Sequence, residues 1–206
     1  MTAIIDYGVG NLFSLKSSLA AVGAEAVVSG DEKVLRNADR IILPGVGAFE
    51  DAMKKLVSSG LAEVVKEEAA SGKPLLGICL GMQMLFDKSY EYGEHSGLGL
   101  IQGEVIPIEK VIPAGLKIPH IGWNALHLKK ADPLFRNVRE GDFVYFVHSY
   151  FAAACDESVI ATAEYGAELT AAVSRGNVSG CQFHPEKSGN VGLNILRAFL
   201  EGPVST

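Results

Sequence analysis

Two short stretches, GICLGMQ at 77–83 and QFHPEKS at 182–188, hold the residue types that covalent chemistry at an acyl centre requires. In the first, Cys79 ends the apolar run PLLGIC (74–79) and stands between Gly77 and Gly81. The run predicts a buried strand and LGMQMLFDK predicts a helix, so Cys79 would occupy a sharp strand-to-helix turn resembling a nucleophile elbow. Small neighbours suit such a turn because it crowds side chains against backbone. At a helix N-terminus, unsatisfied amides and the macrodipole would favour a thiolate. The competing reading is a small buried hydrophobe, since free cysteine is among the most buried residue types.

A thiol nucleophile needs a base, and the base needs an orienting partner. Read as an extended strand, VSGCQFHPEKS puts Gln182, His184 and Glu186 on one face and Cys181 and Phe183 on the other. Pro185 removes a ladder donor, so this strand is expected to end there, at a sheet edge. Glu186 would accept from one imidazole nitrogen of His184 and leave the other for a thiol. HPE alone reads equally well as a polar strand end. HPE together with GxCxGxQ is a much rarer coincidence.

The elements that must position these residues follow from the patterning. AIID (3–6), EAVVS (25–29), RIILPG (40–45) and PLLGIC (74–79) read as buried strands. Helical patterns lie between them, one capped by Asn11 with Leu12, Leu15, Leu19 and Val22 on one face, another over 49–71 broken near Ser58–Gly60. This alternation implies a parallel sheet covered on both faces. The second half is different: GLIQGEVIPI, NALHLK, FVYFVHSYF, SVIATAEY, TAAVSRG and VSGCQFHP read as closely spaced antiparallel strands, followed by a helix near 190–201. The fold class is therefore α/β, a single domain over residues 1–206 with an open, mixed, mostly parallel sheet, helices on both faces and antiparallel additions in the C-terminal half. Such sheets carry their functional loops beyond the C-terminal ends of the strands.

Composition narrows the function classes. The chain has 206 residues, 48% hydrophobic and 20% charged, with a net charge of −6 and no basic stripe, so a nucleic-acid partner is not expected. No apolar stretch approaches the roughly 18–20 residues of a membrane span. MTAIIDYGVGN lacks a basic leader segment, and Asp6 interrupts its apolar run, so no signal peptide is expected. Three cysteines without a CxxC pair suit a reducing cytoplasm rather than a disulfide framework, with Cys155 and Cys181 expected to be buried and inert. The five histidines never fall in HxxxH or HExxH spacing, so neither a metal nor another cofactor is implied.

GICLGMQ with QFHPEKS resembles the class I, triad-type glutamine amidotransferases, whose fold is flavodoxin-like and in which Cys, His and Glu hydrolyse the side-chain amide of L-glutamine. The resemblance implies Cys79 as nucleophile, His184 as acid and base, and Glu186 as its orienter. It implies oxyanion donors from the backbone of Leu80 and of the PGVG turn, at Gly45, Val46 and Gly47, where losing one donor typically costs ~3 kcal/mol. Without the other motifs PGVG would be an ordinary glycine-rich turn. Substrate contacts implied in the same way are Gln83, one helical turn after Cys79, Glu91 at the α-amino group, and the segment His148, Ser149 and Tyr150. His148 is expected to line the site rather than to act as a second base.

DYGVGN (6–11), PGVGAF (44–49), PHIGWN (119–124), HSY and HPEKS together resemble the glutaminase subunit family of imidazole glycerol phosphate synthase, from the first strand to the last helix. PHIGWN is the most discriminating piece of the resemblance, since the similar-sized glutaminases of pyridoxal phosphate synthases are not expected to carry it. DYGVGN lacks the third glycine of a dinucleotide loop and is read as facing a partner. The resemblance implies a heterodimer with a cyclase subunit, a (β/α)8 barrel that consumes the ammonia. Trp123 is then an interface anchor or a core aromatic, with Asn11, Asn124 and Lys187 as further interface candidates. Gly45 and Gly47 would allow a peptide flip that completes the oxyanion hole when the partner is liganded. The alternatives are a glutaminase subunit of another synthase, of the pyridoxal phosphate synthase type, a stand-alone glutamine hydrolase, a peptidase with the same elbow, and a non-catalytic binding module, which would have no need of all three triad residues.

Overall fold

The structure is a computed structural model that describes residues 1–202. Its first half builds β1 (Thr2–Ile5), α1 (Leu12–Ala21), β2 (Ala26–Ser29), α2 (Glu32–Asn37), β3 (Arg40–Leu43), α3 (Phe49–Ser58), α4 (Leu61–Ala70), β4 (Leu75–Ile78) and α5 (Leu80–Gln83). The second half adds β5 (Lys88–Ser89), β6 (His95–Ser96), β7 (Glu104–Pro107), β8 (His120–Ala125), β9 (His127–Leu128), β10 (Phe143–His148), β11 (Tyr150–Ala153), β12 (Val159–Glu164), β13 (Glu168–Arg175), β14 (Val178–Cys181) and α6 (Gly189–Glu201). The main sheet runs β2-β1-β3-β4-β14-β13-β12-β9. Its β2, β1, β3, β4 and β14 are parallel, and β13, β12 and β9 continue it antiparallel. A sheet covered on both faces needs apolar residues on each, and these strands have them.

Alternate strand residues feed two cores. Ala3, Ile5, Leu43 and Leu75 pack with Leu35 of α2, Phe49 and Leu56 of α3 and Leu61 and Val65 of α4. Ile4, Ile42, Leu76 and Ile78 face the other way, onto Leu15 and Leu19 of α1 and Ile195, Leu196 and Phe199 of α6. The period-two alternation thus sends successive residues of one strand into opposite layers. Among the described residues, no helix is long and apolar enough to cross a membrane.

Three expectations change. The helix after Cys79 is one turn, Leu80–Gln83, because the carbonyls beyond it accept from another segment: Leu98 N–H donates to Met84 (2.8 Å), Leu100 and Ile101 to Leu85 (2.8 and 3.0 Å), and Gly97 to Asp87 (2.8 Å). The strand before HPE ends at Cys181, and β14 lies in the middle of the sheet, not at an edge. Pro185 breaks no ladder because a 3₁₀ turn, Pro185–Lys187, has already left the sheet. Finally, FVYFVHSYF is two strands in two sheets. β10 pairs with β8, and β11 joins a four-stranded sheet with β7, β5 and β6, so the chain changes sheets at Ser149.

The order β3-β4-β14 brings the PGVG turn, Cys79 and the 182–188 segment together beyond the C-terminal ends of three parallel strands, although they are far apart in sequence. Their spacing is set by glycine. A Cβ on Gly77 would lie 2.7 Å from the Gly81 carbonyl oxygen, one on Gly81 1.9 Å from that of Leu43, and one on Gly45 2.7 Å from the Gly81 nitrogen. Backbone cannot rotate away as a flexible side chain can. Gly81→Ala is expected to destabilise the chain by about 3 kcal/mol or more, a fall in Tm of roughly 6–12 °C for a domain of this size. Thermal unfolding of the variant checks this, and an unchanged Tm would refute the close-contact account.

Candidate active site

Cys79 has φ +56° and ψ −113°, a conformation that favours glycine and costs on the order of 1–3 kcal/mol. Neighbouring strands hold it there: its N–H donates to the Cys181 carbonyl at 2.7 Å, and its own carbonyl accepts from Gln83 N–H at 3.2 Å. The thiol is 8% exposed and opens into a cavity of about 320 Å³. With α5 only one turn long, a macrodipole of the expected strength is missing behind the sulfur. The charge partner at the thiol is His184 instead.

His184 Nδ1 lies 2.8 Å from Glu186 Oε1, and both side chains are buried. Burial alone would push the imidazole down. Hydrogen bonding to Cys79 and Glu186, with their negative charge, outweighs it and holds the His184 pKa at about 9. The pair meets across the 3₁₀ turn rather than along one strand face. Ser188 fastens that turn: its hydroxyl donates to the His184 carbonyl at 2.6 Å and accepts from Tyr145 N–H at 3.0 Å.

Val46, Gly47 and Leu80 line the same cavity as Cys79, and Gly47 has φ +94°. Gly45 lies behind them, against Leu80 and Gly81. Gln83, Glu91, His148, Ser149, Tyr150 and Lys187 also line it. Gln83 Nε2 is committed inside the protein, donating to the Tyr150 carbonyl and to Gln182 Oε1, each at 3.0 Å. Glu91 Oε2 accepts from Phe49 N–H at 2.5 Å. It thereby supplies the cap that α3 lacks, since Ala48 has no side-chain acceptor. Burial raises the Glu91 carboxyl and the Phe49 amide partly offsets this. Both ring nitrogens of His148 are occupied, one by the Tyr150 carbonyl at 2.9 Å and one by His120 at 3.0 Å. Burial pushes its pKa down to about 3.

The four interface candidates are Trp123, Lys187, Asn11 and Asn124. Trp123 is 52% exposed on β8, edge-on to Tyr145 at 6.0 Å, which removes the core reading. Lys187 Nζ stands 5.8 Å from the centre of the same Tyr145 ring. Asn11 caps α1, its Oδ1 accepting from Ser14 N–H at 3.5 Å, and Asn124 is tied to His120 and to the Glu164 carbonyl. Cys155 and Cys181 are buried, and burial raises both thiols, Cys155 to about 11.

The sequence assigns no role to several residues that build this site. Gln182 is fully buried, with Nε2 3.9 Å from the Cys79 sulfur; its place inside QFHPE was the available signal. Tyr7 donates to the Pro44 carbonyl at 2.7 Å and so pins the start of PGVG, which only the β1–β3 pairing reveals. His120 and Ser188 likewise gain their partners through strands distant in sequence.

Comparison with known proteins identifies the family. The family model described as "Glutamine amidotransferase class-I" matches residues 3–202. The imidazole glycerol phosphate synthase subunit HisH of Wolinella succinogenes is 52% identical over 203 residues, covering 98% of this chain and 99% of that protein. The corresponding subunit of Aquifex aeolicus is 52% identical over 200 residues, covering 96% and 95%. Among solved structures, a glutamine amidotransferase superposes with a TM-score of 0.75 at 22% identity, covering 97% of each chain, and so shares the fold. PurLQS from Thermotoga maritima gives a TM-score of 0.72 at 22% identity over 97% of this chain and 96% of that one. The chain belongs to the class I glutamine amidotransferase family.

Proposed function

We propose that this chain is the glutaminase subunit of imidazole glycerol phosphate synthase, in histidine biosynthesis, and that Cys79, His184 and Glu186 release ammonia from L-glutamine. The reading is carried by a cavity-facing thiol beside a glutamate-backed imidazole, in a chain 52% identical to subunits of that synthase over nearly its whole length.

The chemistry follows from the geometry. The Cys79 thiolate attacks the side-chain carbonyl carbon of glutamine, and the electron pair moves to oxygen. Backbone amides of Leu80 and of the PGVG turn are the donors for that oxyanion. Imidazolium at His184 gives its proton to the departing nitrogen, which leaves as ammonia, and a glutamyl thioester remains. Neutral His184 then takes a proton from water as it attacks the thioester; collapse of the tetrahedral intermediate breaks the C–S bond, glutamate leaves, and the Cys79 thiolate is restored beside the His184 imidazolium. Glu91 at the cavity rim suits the substrate's α-ammonium, and the Ser149–Tyr150 backbone suits its other end.

Ammonia passes to a cyclase subunit, a (β/α)8 barrel, which makes imidazole glycerol phosphate and an aminoimidazole carboxamide ribotide. The partner sits on the face that carries Trp123, Lys187, Asn11 and Asn124, and a peptide flip in PGVG completes the oxyanion hole when that partner is liganded. A reducing cytoplasm suits three unpaired thiols.

In the complex, Cys79→Ala is expected to abolish the glutamine-dependent reaction and leave the ammonia-dependent one within about twofold, since only the nucleophile is lost. Survival of both would refute the nucleophile assignment, and loss of both would point to misfolding, which a Tm measurement identifies. A raised His184 pKa means that the imidazolium persists to higher pH, so kcat/KM should fall as pH rises through about 9. Glu186→Gln removes a charge that raises that pKa, so this alkaline limb should move to lower pH while the maximum drops by roughly 10²-fold or more. A pH–rate profile of the two proteins decides the matter. Trp123→Ala should weaken the complex by about 2 kcal/mol or more while the free subunit keeps its Tm. Titration calorimetry with the cyclase measures it, and unchanged binding would remove Trp123 from the interface.

A further inference from the structure

We propose that His120 is a positioning residue for the pocket: through His148 it holds the Tyr150 carbonyl, and it ties that carbonyl to Asn124 on the face that carries Trp123. The proposal rests on the reading of the pocket as the glutamine site.

The connection is a chain of contacts. His148 Nδ1 meets the Tyr150 carbonyl at 2.9 Å, His148 Nε2 meets His120 Nδ1 at 3.0 Å, and His120 Nε2 meets Asn124 Oδ1 at 2.7 Å. Asn124 Nδ2 then donates to the Glu164 carbonyl at 2.9 Å. Both ends are carbonyls, which only accept. Each of these contacts needs one hydrogen, yet two neutral imidazoles and one side of an amide supply one too few. Turning the Asn124 amide over moves the shortfall outward without removing it. One link therefore stands acceptor to acceptor unless the histidine pair takes up a proton.

The weakest link is the outer one. His120 and His148 are 1% and 6% exposed, whereas Asn124 is half-buried and its amide can turn to water. With both rings neutral, each carries its hydrogen on Nδ1: His120 donates to His148, and His148 donates to the Tyr150 carbonyl. The order is directional, so His120 dictates the tautomer of His148. An added proton on His120 Nε2 closes the outer link as well. The rings of Tyr165 (4.0 Å, 18°) and Phe146 (5.2 Å, 21°) lie stacked on His120 and favour that cation.

The groups around the pair set when this happens. His184 acts on His148 by charge, and Asn124 acts on His120 by hydrogen bonding. The Glu164 carboxylate is turned to Gly166 N–H, and among the described residues no carboxylate acts on either ring. Burial lowers both rings, so the neutral pair with its open outer link is favoured at neutral pH, and uptake of the proton is shifted below the ordinary imidazole range.

The test is ¹⁵N NMR of the ring-labelled full chain at pH 8, with glutaminase kinetics of two variants in the complex. The expected spectra show His120 and His148 both as Nδ1–H tautomers, against the Nε2–H form usual in water. His148 as the Nε2–H tautomer would overturn the proposal, and this readout is independent of whether the pocket turns over glutamine. His120→Asn keeps a donor near the Nδ1 position, while His120→Phe keeps the ring stacking and loses the donor. The Phe variant is expected to raise KM for glutamine about three- to tenfold, the worth of one hydrogen bond, with kcat nearly unchanged and with the Asn variant close to native. Equal KM in the two variants would overturn the relay, and loss of glutaminase from neither these nor Cys79→Ala would instead sink the glutamine reading.

Discussion

A Cβ at position 81 would sit 1.9 Å from the carbonyl oxygen of Leu43, so the turn after β4 lies directly on the end of β3. Gly77 permits the same turn to fold back on its own strand, and Gly45 permits PGVG to close over it. That backbone-on-backbone contact leaves Cys79 little freedom, and its φ of +56° persists because neighbouring strands over-determine it. The placement of the Cys79 thiol, the PGVG turn and His184 beside one another then follows from three adjacent strands ending together.

Polar groups around the thiol are committed in advance. Gln83 and Gln182 bond each other and reach the Tyr150 carbonyl and the Cys79 sulfur, Ser188 clamps the His184 turn, and Tyr7 holds Pro44. Such side chains need no reorganisation when charge develops on the substrate, which is the physical source of electrostatic catalysis. Glu91 shows the same economy, since one carboxylate caps α3 and faces the cavity.

The pocket and the Trp123 face are one structure rather than two. β10 supplies Tyr145 beneath Trp123 and Lys187, and its last residue, His148, lines the cavity. At Ser149 the chain leaves that sheet for another, passing from His148 at the end of β10 to Tyr150 at the start of β11. One strand thus contributes both to the cavity and to the face that carries Trp123.

The chain by itself determined the alternation of buried strands and helices, the break at Ser58–Gly60, the Asn11 cap and the two stretches that meet at the site. Those are local matters of period, capping and glycine placement, and they are written in neighbouring residues. The length of α5, the central place of β14 and the splitting of FVYFVHSYF at Ser149 were decided elsewhere. The carbonyls of Met84–Asp87 found donors in residues 97–101, and β14 found partners on both sides in β4 and β13. Gln182, Tyr7 and His120 owe their roles to contacts across strands far apart in sequence. Hydrogen-bond partners at such distances depend on which strands lie side by side, and only the tertiary structure assigns that order.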